Sequence, residues 1–118
     1  MLKIRKEQME AFKSDILRKF EDGMAVHLRS QFAEQTKRLR EPELRELVHK
    51  GILRAREYEV MFEPDVCRYL ECMIVHGVDF DKDAKTSWAG GILRRRDLDG
   101  REKMNHIDDY EMFTLGGA

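Results

Sequence analysis

Residues 41–58 read EPELRELVHKGILRAREY, and this stretch decides the fold class. Pro42 directly follows Glu41, where the first N–H groups of a helix have no internal partner and a missing donor costs nothing. Leu44, Leu47, Val48, Gly51, Ile52, Ala55 and Tyr58 then follow the i, i+3, i+4, i+7 spacing that gathers apolar groups on one side of a 3.6-residue period. The spacing predicts a helix over 42–58. A second start signal, Glu63-Pro64, opens a segment in which Val66, Cys67, Tyr69, Leu70, Met73 and Ile74 wrap more than half of a helical surface before Gly77 stops it. The 64–76 helix is expected to be the central and most buried one.

On the N-terminal side, Met9, Phe12, Ile16, Phe20, Met24, Leu28 and Phe32 recur every three or four residues from residue 5 to about 35. A straight helix of that length would run about 45 Å, longer than a domain with a radius of gyration of about 13 to 14 Å is wide. It therefore either bends near Gly23 or projects at one end. Val26 lies off the main stripe and suggests burial on more than one side. On the C-terminal side, Val78-Asp79-Phe80-Asp81-Lys82-Asp83 reads as a polar loop with two apolar anchors. A short helix around 87–94, capped by Thr86 or Ser87, follows it. Asp97-Leu98-Asp99-Gly100 reads as a turn. Met104, Ile107, Tyr110 or Glu111, and Phe113 suggest a last helix over 101–113, with a frayed tail from 113 to 118. No internal repeat or Pro/Gly/Ser-rich linker divides the chain. The expected architecture is all-α: one helical domain over 1–118, with a long N-terminal helix, two core helices and short C-terminal helices.

Composition narrows the function classes. The 118 residues are 42% apolar, with six Phe, three Tyr and one Trp to build a core, and 38% charged. With 22 basic and 23 acidic side chains the net charge is -1, so the whole-molecule attraction to nucleic acid is missing. Cys67 and Cys72 are five residues apart on one helix and point to different faces, which fits two reduced thiols used as small hydrophobes and a cytoplasmic setting. The opening Met-Leu-Lys-Ile-Arg-Lys-Glu carries charge from its third residue and has no apolar h-region, so no signal peptide is expected. No run approaches the roughly 18 apolar residues of a membrane span.

Asp79-Phe80-Asp81-Lys82-Asp83 has the D-x-D-x-D opening of a calcium-binding loop, but the sixth position, which needs Gly, is Ala84, and the twelfth, which needs a bidentate Glu, is Gly90. A solvated acidic loop that begins or caps the next helix is the better reading. His27, His49, His76 and His106 are scattered without metal-ligand spacing, Ser14, Ser30 and Ser87 lie in no nucleophile motif, and Gly90-Gly91 lacks the rest of a phosphate loop. No catalytic residue, metal site or cofactor is expected, and the chain does not read as an enzyme. Arg94-Arg95-Arg96 with Lys37-Arg38 and Arg40 makes the best case for nucleic acid, and the two proline-started helices could be drawn as a helix-turn-helix. The helix that would have to enter the groove is mostly apolar, however, with Arg68 its only basic residue.

The remaining reading is a protein-binding surface on the segment from Val78 to Arg96. Phe80, Trp88, Ile92 and Leu93 supply large apolar groups and Arg94, Arg95 and Arg96 a charged rim, the composition of an aromatic anchor in a polar border. The competing reading of Trp88 is a lid that closes the core.

Taken together, His27-Leu28-Arg29 with Phe32, Gly51-Ile52 with Ala55 and Tyr58, Asp65-Val66 with Arg68-Tyr69, Gly77-x-Asp79-Phe80-Asp81, Trp88-Ala89 with Ile92-Leu93, and Gly100 with Lys103-Met104 form a pattern over residues 4–110. In these positions the chain resembles small bacterial proteins encoded beside type VI secretion spike and effector genes. The resemblance rests on packing and turn positions and carries over no functional residue. The chain departs from it at Phe32-Ala33 and Tyr58-Glu59-Val60. It implies a co-chaperone or adaptor that helps load an effector, with the effector, its dedicated chaperone or a spike-tip protein as partner. An immunity protein for a neighbouring toxin and a small nucleic-acid-binding regulator are the alternatives.

Overall fold

The computed structural model describes residues 6–116, with side chains from residue 14 onward. Met9 and Phe12, two members of the N-terminal stripe, lie outside the described side chains, as do the last two residues of the expected tail. The described residues are all-α: α1 (Lys6–Gln31), α2 (Ala33–Thr36), α3 (Glu41–Glu57), α4 (Glu63–His76), a 3-10 turn (Ala84–Thr86), α5 (Ser87–Leu93) and α6 (Gly100–Phe113), with no strand among them. Packing groups the chain into two compact units, Met1–Val48 and His49–Ala118, and the division falls inside α3. No helix among the described residues is long and apolar enough to cross a membrane.

In the first unit, α1 runs without interruption through Gly23 for 26 residues, roughly 39 Å. The periodicity expected to about residue 35 breaks at Phe32, whose backbone (φ -129°, ψ 49°) leaves the helical region and separates the single turn of α2. That turn is held from two sides. The Thr36 hydroxyl donates to the Phe32 carbonyl at 2.8 Å, and the Arg29 guanidinium donates to the carbonyls of Thr36 and Leu39, as a cation does at a helix C-terminus. Ala25 and Leu28 are buried, whereas Val26 is 69% exposed, which corrects the expectation that it marks a second buried face. One position along a helix turns the side chain by about 100°, and here that is enough to leave the core.

In the second unit, the end of α3 shows why the chain turns where it does. The N–H of Glu59 donates to the Arg56 carbonyl and that of Val60 to the Ala55 carbonyl, the paired bonds of a Schellman motif. The motif needs a left-handed residue, and Glu59 occupies that place with φ 64°. The Lys103 ammonium, on a side chain that is itself buried, donates to the Tyr58 carbonyl at 2.9 Å. Gly100 closes the approach from α6, since a Cβ there would stand 2.5 Å from the Glu59 carbonyl oxygen. α4 begins at its proline signal and ends at Gly77, which takes φ 111°. Its inward face holds Val66, Tyr69, Leu70, Cys72 and Met73. α3 packs closely on it at Gly51, where any Cβ would run into Leu70 and Met73.

The polar pairs fix the helix directions. Asp65 faces Arg101, Arg68 bonds Asn105 and Asp108, and His76 meets Glu111, so α4 and α6 run parallel along the chain. α6 starts at a capping box, with the Asp99 carboxylate accepting from the Glu102 N–H and the Glu102 carboxylate from the Asp99 N–H. α5 runs back against α6, its first turn lying beside the last turn of α6 through Trp88 and Tyr110.

Candidate functional site

The segment 78–96 is built on a buried carboxylate. Asp81 was expected in a solvated loop, yet it is 1% exposed. Its side chain accepts from the Tyr58 hydroxyl at 2.6 Å and from Arg54 at 3.2 Å, while its backbone carbonyl accepts from Arg94 at 2.7 Å. Arg54 also holds Asp79 at 2.8 Å, and its guanidinium keeps that carboxyl below the ordinary Asp range. Arg54 thus bridges two of the loop's three carboxylates. Burial, and then the hydrogen bond to Asp81, pushes the Tyr58 phenol up to about 12. Asp83 accepts from the Lys85 N–H and caps the 3-10 turn, as the acidic-loop reading anticipates. The expected cap at Thr86 or Ser87 does not form: the Thr86 hydroxyl donates instead to the Phe80 carbonyl at 2.6 Å.

Phe80 and Leu93, expected at a partner surface, are fully buried. Phe80 packs on Tyr69 with ring centroids 5.0 Å apart, and Leu93 shares the inward face of α5 with Ala89 and Gly90. Burying a side chain of this size stabilises by about 1.5–3 kcal/mol, so both belong to the core and offer a partner nothing. Gly90 is small for a reason of its own, since a Cβ there would stand 2.5 Å from the Asp81 carbonyl. Tyr69, in the same cluster, has a buried hydroxyl without a hydrogen-bond partner among the described residues, and burial raises its pKa.

The other five expected residues face outward to different degrees. Trp88 is half-buried: its ring stacks on Tyr110 at 4.3 Å and 10°, and stands at 88° to the His76 ring at 5.5 Å. His76 is held in turn by Glu111 at 2.9 Å. Trp88 is therefore neither a sealed lid nor a free anchor but an aromatic fixed by two neighbours with part of its surface in solvent. Ile92 is half-buried, one turn further along. Arg94, Arg95 and Arg96 are exposed; Arg94 is turned back onto Asp81, Arg95 is paired with Asp97 at 2.5 Å, and Arg96 extends the basic edge.

The supporting residues missed in the sequence are Tyr110, His76, Arg54 and Tyr58. Tyr110, His76 and Arg54 lie on helices whose pattern was legible and Tyr58 directly follows α3, but the pairing across elements had no local signal. The cysteines behave as small hydrophobes: burial drives the Cys67 thiol up to about 11 and the Cys72 thiol well above its ordinary value, which leaves little thiolate at neutral pH. Compared with known proteins, the chain matches no family model, no curated protein and no solved structure.

Proposed function

We propose that this chain acts by binding another protein and performs no chemistry of its own. The observation that supports this is Trp88, a large aromatic that is held rigid by Tyr110 and His76 yet keeps part of its surface in solvent beside Ile92 and a basic edge. A pre-ordered Trp loses little entropy on contact, which is why such residues carry a large share of interface energy. The resemblance of the sequence to type VI secretion-associated proteins makes the partner a secreted effector, its dedicated chaperone or a spike-tip protein. In that reading the chain is a cytoplasmic co-chaperone or adaptor.

Trp88→Ala tests it. The half-buried ring contributes about 1–2 kcal/mol of stability through its stacking and packing, so the variant should still fold. In the native host it should lose most of its partner in a pull-down and reduce effector export. Export that is unchanged when the gene is deleted would refute the adaptor role. Protection of cells from a neighbouring toxin without any need for secretion would identify an immunity protein instead.

A further inference from the structure

The outward face of α5 has a shape and a charge that specify one kind of partner. Ala89, Gly90 and Leu93 turn inward, which leaves Ser87, Trp88, Gly91, Ile92 and Arg95 on the solvent side. A Cβ placed on Gly91 would meet nothing within 4 Å, so the backbone between Trp88 and Ile92 is open to close approach. The chain as a whole carries -1, but residues 82–97 hold Lys82, Lys85, Arg94, Arg95 and Arg96 against only Asp83 and Asp97. Arg95 and Asp97 pair and cancel, and Asp83 caps the Lys85 N–H, so Lys82, Lys85, Arg94 and Arg96 leave a positive local excess. An apolar centre with basic residues at both ends complements an apolar stripe with carboxylates on either side of it.

We infer that the outward face of α5 docks an acidic amphipathic helix, its apolar stripe on Trp88 and Ile92 and its carboxylates toward Lys85 and Arg96. This rests on the protein-binding reading above and names the chemistry of the partner. Helices pack with axes about 8–10 Å apart, and the lower end of that range requires a small residue at the crossing point, which Gly91 supplies. Nucleic acid would use the same arginines, but Arg94 is already turned onto the Asp81 carbonyl and Arg95 onto Asp97.

Trp88 is the only tryptophan, so its emission reports directly on this face. Three synthetic peptides of about 21 residues, long enough to become helical on docking, share one Leu stripe and carry Glu, Gln or Lys at the other positions. The Glu peptide should bind at least about tenfold tighter than the other two, and its advantage should shrink from 0.1 to 1 M salt as the screening length falls from about 10 to 3 Å. Arg95→Glu with Arg96→Glu should reverse the order in favour of the Lys peptide. Gly91→Gln should weaken the Glu peptide at least about tenfold while leaving the thermal midpoint unchanged or higher, since Gln is the better helix former. Equal binding of all three peptides, full binding by Gly91→Gln, tighter binding of a single-stranded oligonucleotide, or self-association through this face would each overturn the inference. A native partner that needs Trp88 but ignores peptide charge would sink the acidic-helix inference alone. A host with no Trp88-dependent partner would sink the protein-binding reading, whatever the peptides do.

Discussion

Asp81→Asn removes a charge from the centre of the 78–96 segment while keeping its shape. The carboxylate has no exposed surface and accepts from Tyr58 at 2.6 Å and Arg54 at 3.2 Å. In the variant the amide oxygen still accepts from Arg54, and the amide nitrogen donates to Tyr58, whose hydroxyl reverses its role. What is lost is the ionic share of two hydrogen bonds, the difference between about 1.5–3 kcal/mol for a charged acceptor and about 0.5–1.5 kcal/mol for a neutral one. Breaking a buried ion pair outright costs about 3–5 kcal/mol, but Arg54 keeps Asp79 at 2.8 Å, so the larger figure does not apply. The expected loss is about 2 kcal/mol. Asp79→Asn is the control, because that carboxylate is 65% exposed and solvent screens its pair with Arg54. Urea denaturation should show a midpoint lower by about 1 M for Asp81→Asn, given slopes of about 1–3 kcal/mol/M, and a much smaller change for Asp79→Asn. Equal shifts for the two variants would refute the assignment of Asp81 as the buried hub.

Glu59→Gly should raise stability by up to about 1 kcal/mol in thermal melts, because φ 64° is strained for an L side chain and free for glycine; a lower midpoint would show that the Glu59 side chain contributes more than its backbone costs. Stability should also fall at high pH. Tyr58 and Cys67 bind their protons more tightly folded than unfolded, up to about 12 and about 11, and Tyr69 and Cys72 are raised as well. Their contribution is therefore complete below the ordinary thiol and phenol ranges and is lost as pH rises from about 9 to about 12. Denaturation midpoints across that window, followed with tyrosinate absorbance, should fall together; a flat profile would contradict the burial of these groups.

Much of the fold was legible in the sequence because its signals act within a turn or two. Pro42 and Pro64 start α3 and α4 through a missing N–H, Gly77 ends α4 through a left-handed φ, and the apolar spacing of Leu44, Val48, Gly51 and Ala55 marks the buried side of α3. The candidate segment was located by composition, but which of its residues face outward was not legible. Phe80 and Trp88 are both large aromatics in an irregular stretch, yet only Phe80 disappears into the core, because Tyr69 receives it while Tyr110 takes one face of Trp88. Asp79, Asp81 and Asp83 look alike in the sequence; one is tied to Arg54 at the surface, one is buried between Arg54 and Tyr58, and one caps a turn. Apart from the Asp83 cap, which is local, these differences come from pairs 11 to 27 residues apart. A helix can be specified by hydrogen bonds and side-chain spacing along one stretch of chain. The burial of a given residue depends on which distant side chain arrives to cover it, and that is decided only when the helices pack.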